Sequence, residues 1–259
     1  MLKKVTLLAI TSLMLTTTAI DLFRARAIEA QQLQPKDGMA SSTTGSPRSV
    51  GGLVIRVVDR SEGRPQFRVV GGGLLLLLNT RYVVLTNLHV VDGFTAFTVE
   101  LNGTVVEAKR IGQAVKFSTA YPDLALLEIS KPLAPALNPH EFLSDARIQR
   151  LGIKEVFNYG PGMGYVGAEQ RISFTGALFR PSPQSDGIYK EGTYWKLDLS
   201  SWDKATGGVS GSPLLAADGT VVGLMVMKKG KLGIAISMDT ITTFLQEFEL
   251  GLNSKAPGL

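Results

Sequence analysis

The sequence predicts an all-β chain: two six-stranded antiparallel β-barrels followed by one C-terminal helix. Three observations predict it. Glycines, 28 of 259 residues, fall between short Val, Leu and Ile runs, the pattern of many short strands rather than of a helical bundle. Turn dipeptides punctuate those runs, Asn102-Gly103 and Asp218-Gly219 foremost, and such pairs supply the positive φ that a two-residue hairpin needs. The strand-like runs also fall into two groups of about six, parted by a Pro-rich connection from Lys131 to Pro139. Two such groups suggest two packed barrels.

In the first group, spanning residues 50–135, Leu53–Val58 and Phe67–Val70 flank a polar turn at Ser61-Glu62-Gly63. Leu74–Leu78 and Tyr82–Thr86 flank Asn79-Thr80, Ala96–Leu101 and Thr104–Arg110 flank Asn102-Gly103, and Leu124–Ile129 follows. The unbroken Leu74–Leu78 run suits a strand buried on both faces. The second group, spanning 150–238, holds Glu155–Tyr159, Arg171–Leu178, Tyr194–Leu199, Ser212–Leu215, Val221–Met227 and Leu232–Ile236. In residues 239–249, Ile241, Phe244, Leu245 and Phe248 recur at helical spacing, which predicts one amphipathic helix.

The N-terminal segment reads differently. Lys3 and Lys4 precede a sixteen-residue apolar and Thr-rich run, Val5–Ile20, closed by Asp21 and followed by Ala25-Arg26-Ala27. A positive start, a run shorter than the roughly 20 residues of a membrane span, and small residues beyond it fit a cleaved export signal over residues 1–27. An uncleaved anchor or a buried strand is the structural alternative. Residues 28–49, rich in Gln, Ser, Thr, Gly and Pro, read as a flexible linker. The expected location is therefore outside the cytoplasm, periplasmic or secreted, with no stable membrane span once the signal is removed.

Composition narrows the function. Hydrophobic residues make up 44% of the chain, enough for a substantial core. Of the net charge of +5, residues 1–27 supply +3 through Lys3, Lys4, Arg24 and Arg26 against Asp21, leaving +2 for the rest. No basic stripe interleaves with aromatics, which argues against nucleic-acid binding. The chain has no cysteine, which excludes disulfides, thiolate metal sites and a cysteine nucleophile. Two histidines are too few for a multi-histidine metal site, so neither metal nor cofactor is expected.

Three residues carry candidate chemistry, and each has a plain structural reading when taken singly. His89, ending an apolar strand in Thr86-Asn87-Leu88-His89-Val90-Val91, is either a packed core histidine or a base able to take a proton near neutral pH. Asp123, heading Asp123-Leu124-Ala125-Leu126-Leu127, is either a turn residue or the carboxylate that orients an imidazole. Ser210, in Gly207-Gly208-Val209-Ser210-Gly211-Ser212-Pro213, is either an ordinary turn serine or a nucleophile. There Gly208 admits close backbone approach, and the N–H groups of Gly208 and Ser210 can meet a developing oxyanion.

Taken together, in the order His, Asp, Ser and spread over both strand groups, these three segments resemble the motifs of trypsin-like serine proteases. The nearest likeness is to the catalytic domain of bacterial HtrA/Deg proteases. Asp218-Gly219-Thr220-Val221-Val222-Gly223-Leu224 and Leu232-Gly233-Ile234-Ala235-Ile236 extend it, and it covers residues 50–250. The resemblance implies a chymotrypsin-like fold with the site between the barrels. It also implies a Ser-His-Asp triad of Ser210, His89 and Asp123, and serine endopeptidase action on polypeptide substrates through an acyl-enzyme. A trypsin-like binding protein without turnover is the alternative. The chain stops about ten residues past its predicted helix, so the likeness carries no PDZ domain. It says nothing of the oligomeric state. Val209 stands where relatives have Asp or Asn, so the loop lacks a polar side chain to pin it. By the same analogy, residues 203–206 and 224–227 wall the pocket for the residue before the scissile bond. Met225, Val226 and Met227 suit a medium-sized apolar residue, whereas Lys204 would favour an acidic one.

Overall fold

A computed structural model describes residues 53–59, 66–111, 122–161, 170–180, 192–200, 208–229 and 231–254, all within one unit, Thr43–Leu259. The predicted signal and linker lie outside the described residues. The first sheet comprises β1 (Leu53–Asp59), β2 (Gln66–Leu78), β3 (Arg81–Thr86), β4 (Phe97–Leu101), β5 (Thr104–Ile111) and β6 (Ala125–Ile129). It closes in the order β1-β2-β3-β6-β5-β4. The second comprises β7 (Glu155–Asn158), β8 (Gln170–Phe179), β9 (Tyr194–Asp198), β10 (Pro213–Leu215), β11 (Val221–Lys229) and β12 (Leu232–Ser237), in the order β7-β8-β9-β12-β11-β10. Its closure is slight: β10 meets β7 only at Leu214↔Asn158 and Leu215↔Phe157. Among the described residues three α-helices accompany the sheets: α1 (Leu88–Val91), α2 (Asp145–Arg150) and α3 (Met238–Ser254).

Local chemistry explains the turns. Asn102 and Gly103 both take positive φ, 50° and 79°, as do Asn79 and Thr80, 45° and 70°. This is the geometry whose twist matches flanking strands. Two runs expected as separate strands, Phe67–Val70 and Leu74–Leu78, are one strand. The glycines between them stay in the ladder, with Ile55↔Gly71, Val54↔Gly72 and Leu53↔Gly73. Without side chains, those glycines interrupt the alternation that marks a strand but not its hydrogen bonding.

The strand β2 divides the core. Leu75 packs with Val84, Val99 and Leu127. Leu74, Leu76 and Leu78 share the opposite cluster with Val83, Leu85 and Leu126, and with Trp195, Leu224 and Ile236 of the second sheet. Burying each such leucine is worth about 1.5–3 kcal/mol, so the two sheets are joined by apolar packing as well as by the chain. The expectation of burial on both faces holds along Leu74–Leu78 except at Leu77, which is 42% exposed.

The terminal helix α3 is longer than its predicted 239–249. Ile241 and Leu245 are buried, and Phe244 and Phe248 pack against the same cluster. Its start is tied to α2 by an exchange of caps. Asp145 Oδ1 accepts the N–H groups of Met238 (2.9 Å) and Asp239 (3.3 Å), while the Asp145 N–H donates to Asp239 Oδ1 (3.0 Å). These bonds satisfy donors that a helix start leaves free. Burial nonetheless raises the Asp145 pKa above the ordinary carboxylate value. The Ser237 hydroxyl opposes that rise, and the Asp239 charge adds to it. No helix among the described residues is long and apolar enough to cross a membrane.

Candidate active site

The histidine expected at a strand end sits instead on α1, a one-turn helix directly after β3. Leu88, Val90 and Val91 are buried and fix the turn, which leaves the His89 side chain 37% exposed. Asp123 lies just before β6 and is 4% exposed. Its two oxygens hold His89 at two points: Oδ1 accepts the backbone N–H at 3.0 Å, and Oδ2 lies 2.5 Å from Nδ1. A carboxylate there favours the proton on Nδ1 and leaves Nε2 free to accept one. Asn87 braces the same aspartate, its Nδ2 donating to the Asp123 carbonyl at 2.9 Å.

Ser210 comes from the second sheet, in the turn before β10, and its backbone is clamped from three sides. From β2, the Gly72 N–H donates to the Ser210 carbonyl at 2.8 Å. From β11, the Met225 carbonyl accepts the Gly211 N–H at 2.8 Å, and the Met225 N–H donates to the Ser212 carbonyl at 2.9 Å. The turn closes on itself through Ser212 N–H to the Val209 carbonyl, 3.1 Å. On the third side stands Pro161, whose carbonyl oxygen lies 2.7 Å from where a Cβ on residue 208 would be. Asn158 holds that neighbouring turn through the Gly160 N–H, 3.0 Å, and the Pro213 carbonyl, 3.2 Å.

Glycine is required at two of these points. Gly208 has φ +105°, and Gly211 has φ +80° with no room for a Cβ beside the Thr86 hydroxyl and the Gly72 carbonyl. Gly71 brings the two halves of the site together. A Cβ on it would come 2.7 Å from the Ser210 carbonyl oxygen and 2.8 Å from the methyls of Val90, the neighbour of His89. Val209, expected to leave the loop unpinned, is 6% exposed and belongs to the apolar cluster. An apolar anchor and backbone bonds hold the loop in place of a polar side chain.

The side chains are not all joined. The Ser210 hydroxyl donates to the Val226 carbonyl at 2.8 Å, and among the described residues no hydrogen bond links it to His89. Val226 sits at a β-bulge, unpaired between Met225↔Ala235 and Met227↔Ile234, and such bulges re-aim backbone groups. Of the expected pocket residues, Met225 is fully buried and Val226 nearly so. It is the Val226 carbonyl that meets Ser210. Met227 lies on β11, and Lys204 and Gly207 lie outside the described residues. Sequence reasoning missed Asn87, Gly71 and Gly72. The glycine run 71–73 inside a strand pattern was the available signal of close backbone approach.

Comparisons with known proteins identify the family and the fold. The trypsin-like peptidase domain model matches residues 71–224. A probable periplasmic serine protease do/HhoA-like of Haemophilus influenzae is 29% identical over 167 residues, 64% of this chain. The chain spans 32% of that relative's length. The HtrA-type protease AlgW solved with a decapeptide superposes with TM-score 0.58 at 18% identity, over 81% of this chain and 67% of that one. The same protease with a tripeptide gives 0.57 at 20% identity, over 79% and 62%. With two six-stranded sheets, His89 and Asp123 carried by one and Ser210 by the other, the chain belongs to the trypsin-like peptidase family and has the fold of HtrA-type proteases.

Proposed function

We propose that this chain is an exported serine endopeptidase, periplasmic or secreted, in which Ser210, His89 and Asp123 form the catalytic triad. The observation that carries the reading is the two-point hold of buried Asp123 on His89, by backbone and by ring, beside a serine on a glycine-flanked turn. In the proposed cycle the Ser210 hydroxyl leaves the Val226 carbonyl, gives its proton to His89 Nε2, and Oγ bonds the substrate carbonyl carbon. The carbonyl oxygen gains negative charge and takes hydrogen bonds from the N–H groups of Gly208 and Ser210. Collapse breaks the C–N bond, and the proton on Nε2 leaves with the amine. Water, activated by the same imidazole, then hydrolyses the acyl-enzyme. The Asp123 carboxylate holds the ring in place and stabilises the imidazolium.

The residue before the scissile bond is proposed to be medium-sized and apolar, selected beside Met225, Val226 and Met227, with an acidic residue selected by Lys204 as the alternative. One observation favours a second reading, a binding protein without turnover: the Ser210 hydroxyl is engaged by Val226 rather than by His89. Proteome-wide cleavage profiling with the purified protein, with Ser210→Ala as control, tests both. Cleavage after Val, Ala, Leu or Met that vanishes in the variant supports the peptidase with an apolar pocket. An identical pattern from both proteins, or none, overturns it.

A further inference from the structure

The last residue of β3 stands where the lines from His89, Asp123 and Ser210 meet. Thr86 is fully buried. Its backbone pairs with Ala125, two residues past Asp123. Three residues further on is His89, in the helical turn that Leu88, Val90 and Val91 anchor. The Thr86 side chain serves the other half of the site. Its hydroxyl donates to the Gly72 carbonyl at 2.8 Å, and the Gly72 N–H donates to the Ser210 carbonyl at 2.8 Å. The same hydroxyl lies against Gly211, where a Cβ on that residue would strike it.

Gly72 is available for this relay because β2 pairs with β3 only from Leu74↔Leu85 to Leu78↔Arg81. Past Leu74 the buried backbone groups of β2 need other partners: the Gly72 N–H takes Ser210, and its carbonyl takes Thr86. The relay has little slack. The Ser212 side chain fills the space that a Cβ on Gly72 would take, and Pro161 lies 3.2 Å from the same point. On the neighbouring residue, a Cβ on Gly71 would meet the Ser210 carbonyl oxygen on one side and Val90 on the other. Groups packed this closely transmit a displacement rather than absorb it.

Resting on the peptidase reading above, we propose that Thr86 is a positioning residue for the reaction: its hydroxyl, through Gly72 and against Gly211, sets where Ser210 stands relative to His89. In the cycle the Ser210 hydroxyl has to turn from the Val226 carbonyl to His89 Nε2. The two residues belong to different sheets, so contacts between the sheets set their separation. Rate is steep in that separation, and a misplacement of about 1 Å costs about 10²-fold. Without the Thr86 hydroxyl the Gly72 carbonyl loses its donor, and a shift of Gly72 carries Ser210 with it. A buried threonine hydroxyl can also serve only to satisfy a carbonyl. That role lowers stability and leaves turnover per folded molecule alone, and the experiment separates the two.

Thr86→Val keeps the shape and lacks the hydroxyl, Thr86→Ser keeps the hydroxyl, and Ile241→Val is a mild core truncation in α3, away from the site. Each is assayed on a fluorogenic peptide well below its melting point, with active sites counted by complete fluorophosphonate labelling. In Thr86→Val, kcat per site is expected to fall about 10- to 100-fold with KM within about twofold, and labelling of Ser210 to slow in parallel. Thr86→Ser should recover most of that loss. Ile241→Val should melt lower and keep the parent kcat per site. Unchanged kcat per site in folded Thr86→Val, an equal loss in Thr86→Ser, or the same loss in Ile241→Val overturns the proposal and leaves the peptidase reading standing. If Thr86→Val does not fold, Thr86→Cys, whose thiol is only a weak donor, is judged by the same criteria. Absence of both cleavage and labelling in the parent chain overturns the peptidase reading, and this inference with it.

Discussion

Asp123→Asn isolates the part of the site with the clearest geometry. The carboxylate serves two donors with two acceptor oxygens, the His89 backbone N–H at 3.0 Å and ring Nδ1 at 2.5 Å. Asparagine has one acceptor oxygen and one NH2. If its oxygen keeps the backbone N–H, the NH2 faces Nδ1 and forces the ring proton onto Nε2, which can no longer take the serine proton. If the amide turns over, the backbone N–H loses its acceptor. In either case an amide cannot stabilise an imidazolium, and the expected loss is about 10⁴ in kcat. Stability changes far less. The charged hydrogen bonds lost are worth about 1.5–3 kcal/mol each, but ionised Asp123 is 4% exposed, and removing its desolvation cost offsets most of that. A net change within about 1–2 kcal/mol is expected. The assay pairs turnover of a fluorogenic peptide with thermal melting of the same sample. Turnover within tenfold of the parent in a normally melting variant would refute the assignment and point to another carboxylate as the orienting group.

Three further outcomes follow from the packing. Gly211→Ala imposes φ +80° on a residue with a Cβ and presses it against the Gly72 carbonyl. A loss of about 2 kcal/mol or more is expected, seen as a melting point lower by about 4–8 °C together with reduced turnover. Ser212 carries a buried hydroxyl without a partner among the described residues, so Ser212→Ala should leave stability unchanged or raise it by up to about 1 kcal/mol; a clear drop in melting temperature would show that the hydroxyl is bonded. For Asp145, burial raises the folded pKa above 3.8. Its stabilising contribution is therefore full below the unfolded value and is lost as pH rises through the interval up to the folded one. Urea melts at pH 3, 5 and 7 should show the parent losing stability relative to Asp145→Asn as pH rises, and a gain would contradict the cause given.

The architecture was legible where side chains carry period and turn chemistry. Alternating runs marked most of the strands, and Asn102-Gly103 marked a hairpin with both φ values positive. It was not legible where side chains are absent or the element is too short. Gly71–Gly73 hid the continuity of β2. Leu88-His89-Val90-Val91, with its two β-branched residues, reads as strand although it forms a single helical turn. In the site, residue types and order exposed His89, Asp123 and Ser210. What depends on distant chain was hidden: Asn87 bracing Asp123 across 36 positions, and Gly72 binding the Ser210 carbonyl. The direction of the Ser210 hydroxyl depends on a bulge at Val226 that no local pattern announces.

The most direct test of the triad is covalent. Treated with a fluorophosphonate, the protein should gain one phosphonyl group, which peptide mass mapping should place on Ser210 Oγ. Labelling should be absent in Ser210→Ala and slowed by orders of magnitude in His89→Ala, and Ser210→Ala should cleave peptides about a millionfold more slowly. An unlabelled Ser210 in a protein that cleaves peptides, or retained cleavage by purified Ser210→Ala, would contradict the account.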